Sequence, residues 1–154
     1  MRMCVYTYNM VPLTEAIIEL KRKRSSVKVF VVSDKGQVKG SQTNLQASLM
    51  QRLKHAGIRV RVRTGSPNNA SASGLVHSKF FNFGPLLIIG SANYTGSTLH
   101  NVESNVLIHL NADGEREVRE WFDGIYHNAA DLSEDLIEEG LQARRLAQQK
   151  GTRS

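Results

Sequence analysis

The residues best suited to chemistry begin at position 77. His77 and Lys79 stand two residues apart in a strand-like segment, so their side chains project from one face of a strand while Ser78 points away. An imidazole beside an ammonium group offers a nucleophile or base next to a fixed positive charge. This pair indicates chemistry on an anionic group.

A second polar segment follows the next apolar strand. Leu86-Leu87-Ile88-Ile89 runs into Gly90-Ser91-Ala92-Asn93, where the glycine permits a tight turn. Ser91, Asn93 and nearby backbone N–H groups can donate hydrogen bonds to one oxyanion. Each motif alone is common. On two neighbouring strands, however, both would lie at one end of the sheet, and such crevices are where open α/β sheets bind ligands.

Strand-like and helical patterns alternate along the chain, and this alternation predicts an α/β layered domain. Strands are predicted at 5–8, 27–32, 59–63, 78–83, 86–89 and 104–110. Helices are predicted from Pro12, over Leu45 to Leu53, over Val118 to Tyr126 and over 132–149. The small polar segment 65–74 is expected to be a lid or a slack connection.

The charge distribution favours an anionic partner. The 154 residues, about one domain in length, carry a formal charge of +6. Residues 1–112 hold 14 basic and 4 acidic side chains, whereas residues 113–154 hold 6 and 10. Arg59, Arg61 and Arg63 alternate with valines, which predicts three cations on one face of a strand that lies at an edge or faces an anion.

Several classes of protein are excluded or disfavoured by composition. No stretch reaches the ~18 apolar residues of a membrane-spanning helix, so the chain as given is expected to be soluble, and its compartment is not indicated. Cys4 is the only cysteine and cannot form an internal disulfide. No Cys/His cluster has the spacing of a zinc site.

Three segments together resemble the signature of the phospholipase D superfamily, H-x-K-x4-D-x6-G-S-x-N with a downstream acid. They are Val76 to Phe83, Leu86 to Thr95 and Asn101 to Leu107. The chain is most similar in this respect to short, single-motif bacterial endonucleases and to the mitochondrial cardiolipin hydrolase group. One departure is Gly84, which stands where the family has aspartate, a residue taken to support the strand turn. The spacer from there to Gly90 is also one residue shorter.

The resemblance implies a single domain with a mixed β-sheet flanked by helices on both faces. The catalytic part is expected over 1–130, with a helical tail over 131–154 that packs on this domain or extends from it. It implies that His77 attacks a phosphodiester and becomes a phosphohistidine, while Lys79 and Asn93 hold the non-bridging oxygens with help from Ser91. A second histidine must protonate the leaving oxygen. Since the chain holds one such motif, a homodimer with a shared active site is expected.

Two further residues have alternative interpretations. Glu103 is expected to orient an imidazole, or else to be a strand-edge carboxylate paired with an arginine. His100 is expected to line the substrate groove, or else to be solvated. No metal ion or other cofactor is required, because lysines from both subunits supply the positive charge.

The expected substrate is nucleic acid, DNA or RNA. Arg59, Arg61 and Arg63, together with Lys21 to Arg24, would form a basic groove that binds the backbone in a salt-dependent way. A phospholipid is the alternative substrate, disfavoured because no lipid-facing surface stands out in the sequence. A second alternative is a catalytically impaired, nucleic-acid-binding relative, because Gly84 replaces the motif aspartate.

Overall fold

Seven strands form one mixed sheet in the computed structural model, which describes residues 1–40, 45–65 and 74–151. The strands are β1 (Arg2–Val5), β2 (Phe30–Asp34), β3 (Arg59–Arg63), β4 (Lys79–Phe83), β5 (Leu86–Gly90), β6 (Asn105–His109) and β7 (Ala130–Asp131). Their order in the sheet is β6-β5-β4-β1-β2-β3-β7. The strand that begins with Lys79 therefore lies beside the central first strand.

The sheet combines a parallel half with an antiparallel half. Strands β1, β2 and β3 run parallel, and β4, β5 and β6 form an antiparallel meander beside β1. In the β1–β4 pair Val5 lies opposite Lys79, and in the β4–β5 pair Phe80 lies opposite Ile89. The end of β5 is thereby brought to the same edge of the sheet as the start of β4 and the end of β1.

Helices cover both faces of the sheet, which confirms the predicted fold class. They are α1 (Val11–Lys23), α2 (Lys35–Gly40), α3 (Gln46–His55), α4 (Ala112–His127) and α5 (Glu134–Gly151), with a 3₁₀ helix at Gly96–His100. Helices α1, α3 and α5 pack on one face of β1 to β3, and α4 packs on the other through Phe122 and Tyr126. Helix α5 belongs to the core, since Ile137 is buried there.

Several element boundaries differ from the sequence-based predictions. Strand β1 begins and ends earlier than predicted, and Tyr8 makes only a single bridge with Tyr94. Helix α2 and the two-residue strand β7 were not predicted. Strand β3 is not an edge strand, because β7 pairs with its outer side. Of the predicted polar connection at 65–74, positions 66–73 lie outside the described residues.

Half of one sheet face carries exposed apolar side chains. Phe81, Ile88 and Leu107 lie opposite one another on β4, β5 and β6, on the same face as Met3 of the core. The helices on that face lie over β1 to β3, so the outer strands are left uncovered. We call this surface the open sheet face; its residues are Phe83, Leu86, Ile88 and Leu107. No helix in the described ranges has the length and apolarity needed to cross a bilayer.

Candidate active site

The start of β4 places His77 and Lys79 at one end of the sheet. Lys79 lies opposite Val5, and the backbone N–H of Tyr6 donates to the carbonyl of Ser78 at 3.1 Å, so the pairing extends past the strand. The His77 side chain is exposed, whereas Lys79 is only 7% exposed. The imidazole therefore faces solvent above a largely buried ammonium group.

The two predicted catalytic side chains contact one another directly. Lys79 Nζ lies 2.9 Å from His77 Nδ1 and 3.1 Å from Nε2, and it donates to the His77 carbonyl at 2.9 Å. Burial lowers the pKa of Lys79 from its ordinary value, and the nearby Glu103 carboxylate opposes that shift. The site thus holds a fixed cation against a nucleophilic ring.

Tyr6 forms a platform for this pair that the sequence analysis missed. Its ring centroid lies 4.6 Å from that of His77, and Lys79 Nζ lies 5.4 Å from it, within the range of a cation–π contact. The buried Gln46 side chain donates to the Tyr6 carbonyl at 2.8 Å and accepts from Tyr8 N–H at 2.7 Å. The chain beyond β1 is therefore held in place by side-chain hydrogen bonds.

Asp34 positions the segment that leads into His77. This carboxylate is buried at the end of β2, accepts from the Val76 N–H at 2.9 Å through one oxygen, and accepts from the Gln37 N–H at 2.9 Å through the other. One residue thus ties the start of α2 to the residue before His77. Its signal in the sequence, a lone aspartate after a strand, is too common to predict this role.

The end of β5 brings a hydroxyl and a carboxylate together. Ser91 Oγ donates to Glu103 and accepts from the Ser104 N–H at 3.0 Å, while Asn101 Nδ2 donates to the other Glu103 oxygen at 3.2 Å. These hydrogen bonds, with a smaller effect of Lys79, lower the pKa of Glu103. Glu103 is therefore held ionised near Lys79, and its hydrogen-bond partners among the described residues are Ser91 and Asn101, not His77.

Glycine is required at the last position of β5. A Cβ atom at Gly90 would collide with the backbone of Ser104 and with Asn105, which lie close across the β5–β6 pair. This close approach is what allows Ser91 to reach Glu103 and Ser104. The glycine of the Gly-Ser-x-Asn motif thus has a packing reason here.

Asn93 lies in a loop that docks onto the chain after β1. The Tyr94 N–H donates to the Thr7 carbonyl at 3.2 Å, and the Asn9 N–H donates to the Tyr94 carbonyl at 2.8 Å. Asn93 Oδ1 is buried and has no hydrogen-bond partner within the described ranges. This oxygen can only accept a hydrogen bond, whereas the Nδ2 group of the same amide can donate to a phosphate oxygen.

The β4–β5 turn contains Gly84, at the position of the motif aspartate, and is held by a side chain of β4. Gly84 has φ of +57°, a left-handed conformation that favours glycine. The buried Asn82 side chain donates to the carbonyls of Gly84 and Leu86, at 2.8 and 3.1 Å. An amide two residues earlier therefore holds this turn, and sequence reasoning did not predict it.

The three arginines share a strand face as predicted, but they lie at different ends of it. Arg59 lies opposite Phe30, at the end remote from Lys79. Arg61 binds Asp131 and the Tyr126 carbonyl, both at 2.9 Å, and lies 4.4 Å over the Tyr126 ring. Arg59 is therefore remote from His77, and Arg61 is engaged in contacts with Asp131 and Tyr126.

Of the three, only Arg63 lies on the His77 side. It donates to the carbonyls of Gly65 and Asn128, at 3.1 and 3.3 Å, and lines a cavity together with His77. The basic run of α1 lies where β2 begins, at the far end of the sheet, since Lys21 Nζ binds the Val27 carbonyl. His100 ends the 3₁₀ helix and is exposed.

This arrangement has the groups needed to bind and attack a phosphodiester. It offers an accessible imidazole, a fixed ammonium group, the amide of Asn93, and a hydroxyl bound to a carboxylate. Within the described ranges, no group of three His, Cys, Asp or Glu side chains is placed to hold a metal ion. Lys79 supplies a positive charge next to His77.

Comparison with known proteins agrees with this geometry. The model of the family described as "Cardiolipin synthase, PLD-like domain" matches residues 1–126. No curated protein matches the sequence. Nuc from Salmonella typhimurium, a phospholipase D family member, has a similar solved structure with a TM-score of 0.71 and 20% identity, covering 85% of this chain and 80% of that one.

A second solved structure, NucT from Helicobacter pylori, is similar to the same extent. Its TM-score is 0.69 at 14% identity, and the match covers 85% of this chain and 80% of that one. At these identities the two structures establish the fold alone. The family model, which spans most of the sequence, establishes more: the chain belongs to the phospholipase D superfamily.

Proposed function

We propose that this protein is a metal-independent nuclease that cleaves phosphodiester bonds through a phosphohistidine on His77, in an active site shared by two copies of the chain. The observation that carries the proposal is the contact between the exposed His77 imidazole and the Lys79 ammonium group. The family supports phosphodiesterase chemistry in general. The proposal adds that the substrate is nucleic acid.

In the first step a neutral His77 nitrogen attacks phosphorus, forming a P–N bond while the bond to the leaving oxygen breaks. Lys79 neutralises charge on the non-bridging oxygens, the Asn93 Nδ2 group donates a hydrogen bond to them, and the leaving oxygen takes a proton from His77 of the partner subunit. In the second step that same histidine accepts a proton from water as the water oxygen attacks phosphorus. The P–N bond then breaks and His77 is regenerated.

The second histidine has to come from another chain. The other histidines lie elsewhere: His55 ends α3, His109 ends β6, His127 ends α4, and His100 is exposed on the 3₁₀ helix. None of them hydrogen-bonds to His77 or Lys79 within the described ranges. A two-fold axis beside the exposed His77 ring would bring two such rings to one phosphorus atom.

The open sheet face is the surface through which we expect a second copy of the chain to bind. Its apolar side chains share the sheet face of Lys79, and Leu107 is 66% exposed. Such a contiguous apolar surface marks an interaction site in a soluble protein. Packing two copies through this surface would bury it, and a two-fold axis at the Lys79 end of β4, away from Phe83 and Leu86, would bring the two His77 rings together. The carboxylate of Glu103, which does not reach its own His77, could then orient the partner's imidazole.

A polyanionic backbone suits the electrostatics of this chain. The net charge is +6, and Arg63 holds a positive charge in the cavity beside His77. Contacts of this kind bind phosphates without reading sequence and weaken as salt rises. The resemblance of the motif region to single-motif bacterial endonucleases supports the same substrate class.

The test is a substrate panel in excess chelator. Plasmid, single-stranded DNA, RNA and cardiolipin vesicles are each incubated with the purified protein in excess EDTA. We expect cleavage of nucleic acid, which falls as salt is raised, and no turnover of lipid. Cleavage of cardiolipin alone would replace the proposal by a phospholipid hydrolase. Binding of nucleic acid without cleavage in any buffer would make the protein an impaired relative.

A further inference from the structure

A cavity of about 620 Å³ opens beside His77 on the α4 side of the sheet, and apart from His77 and Arg63 its lining has no role in the proposed reaction. Val76 and Ser78 form one wall, and Trp121 and Gly124 of α4 form the other. We propose that this cavity receives one unpaired base of the strand being cut, so that the protein acts on single-stranded nucleic acid. The inference rests on the proposed function, since it names the substrate of that site.

An aromatic platform is available in the cavity. Trp121 is 48% exposed, and its ring centroid is 5.0 Å from that of the buried Phe80. Phe80 in turn stacks on the buried Phe122 at 5.9 Å. The indole is therefore held from behind while much of its surface stays open. Bases stack on such rings with little regard to sequence.

The remaining lining combines apolar side chains, among them Leu75 and Ile125, with polar groups that suit a base better than an acyl chain. Ser78, Glu120 and Asn128 supply donors and acceptors, and Arg63 adds a positive charge held by two backbone carbonyls. A heteroaromatic ring can hydrogen-bond to such groups. A hydrocarbon chain would separate them from water without replacing those bonds, which is unfavourable.

The position of the cavity implies that the base must be unpaired. His77 belongs both to the cavity lining and to the proposed site of attack, so a nucleotide with its phosphate at His77 has its base at the cavity mouth. A base held in a duplex cannot enter unless it first leaves the stack, which costs free energy. Single strands avoid that cost.

Gly124 allows the cavity to be filled without disturbing the core. A Cβ atom there would meet nothing within 4 Å, and the residue is exposed on α4, where glycine is a poor helix former. Gly124→Leu would thus place a side chain in the base's space. The matched control is Ala112→Leu, which adds a leucine at an exposed position on the same helix, outside the cavity.

The experiment compares three substrates with the same phosphates: oligothymidylate, its duplex with oligoadenylate, and an abasic tetrahydrofuran chain of equal length. We expect kcat/KM for the wild type to be at least about ten-fold higher on the single strand than on either of the others, in line with the stacking energy of one base. Gly124→Leu should bring both ratios close to one, and Ala112→Leu should keep them. Trp121→Phe should keep more of the preference than Trp121→Leu does.

The outcomes separate the inference from the function on which it rests. A folded wild type that cleaves no nucleic acid overturns both. Equal cleavage of the three substrates, or a preference that survives in Gly124→Leu, overturns the inference and leaves the nuclease standing. If Gly124→Leu hydrolyses cardiolipin more slowly than the wild type while its kcat/KM ratios on the three oligonucleotides are unchanged, the cavity is an acyl-chain site instead. If Gly124→Leu does not fold, the two Trp121 variants decide.

Discussion

His77 and Lys79 show how one buried charge can serve an exposed nucleophile. The ammonium group lies beneath the imidazole and within cation–π range of Tyr6, so its position is fixed before substrate arrives. Fixed charges stabilise a transition state better than mobile ones, because they need no reorganisation during the reaction. Substrate oxygens would thus meet a charge that is already in place.

The charge state of Lys79 predicts the alkaline limit of activity. Burial disfavours its ammonium form, so its pKa lies below the ordinary value of 10.5, and the nearby Glu103 carboxylate partly restores it. Glu103→Gln removes that negative charge while its amide oxygen can still accept from Ser91. The pKa of Lys79 should fall further, and the alkaline limb of the kcat/KM profile should move to lower pH.

This prediction is checked by pH–rate profiles of the wild type and Glu103→Gln. Glu117→Gln, a neutralised carboxylate on the exposed side of α4, is the control and should leave the limb in place. A limb that stays at the wild-type pH in Glu103→Gln, or that moves upward, would contradict the assigned coupling.

At the scale of elements, hairpin β4–β5 sets the register of the site. Its turn is held by Asn82, which is buried and donates to two backbone carbonyls. Asn82→Ala leaves those carbonyls without their donor and should lower the free energy of unfolding by about 1–3 kcal/mol. Urea denaturation measures the loss. Asn128→Ala, which removes one exposed side-chain bond to a carbonyl, should cost less; equal losses would contradict the role of Asn82.

Strand β3 gives a second prediction at this scale, because Arg61 acts as a structural residue. Arg61→Gln removes its bond to Asp131, its bond to the Tyr126 carbonyl and its contact with the Tyr126 ring. We expect a loss of about 1–3 kcal/mol in the free energy of unfolding. Arg59→Gln, whose exposed guanidinium lies over Phe30, should cost less than about 1 kcal/mol in the same urea titration. A larger loss for Arg59→Gln than for Arg61→Gln would contradict the structural role of Arg61.

The strands that carry the candidate site could be predicted from the sequence, but the contacts around them could not. Alternation along 59–63 correctly placed three arginines on one face, yet only the packing of α4 decides that Arg61 is covered. Helix α2 has two glycines and little periodicity, so no pattern predicts it. The motif predicted His77 and Ser91, whereas the Asn82 and Asp34 contacts depend on tertiary neighbours that single-residue patterns do not encode.

At the scale of the whole molecule, the open sheet face is expected to be the contact between two copies. Leu107→Glu places a charge on its most exposed side chain and should convert a dimer to a folded, inactive monomer, as measured by equilibrium sedimentation, circular dichroism and cleavage rate. Leu146→Glu, at a similarly exposed leucine on α5, should change none of these. A Leu107→Glu protein that stays dimeric, or an active monomer, would contradict this interface.

The shared active site itself is tested by mixing wild type with His77→Ala and unfolding and refolding them together, so that subunits redistribute. If each phosphorus needs both imidazoles, mixed dimers are inactive, and activity per wild-type chain should fall to about a tenth when nine tenths of the chains are variant. Activity per wild-type chain that stays constant across the mixing series would show that each chain carries a complete active site.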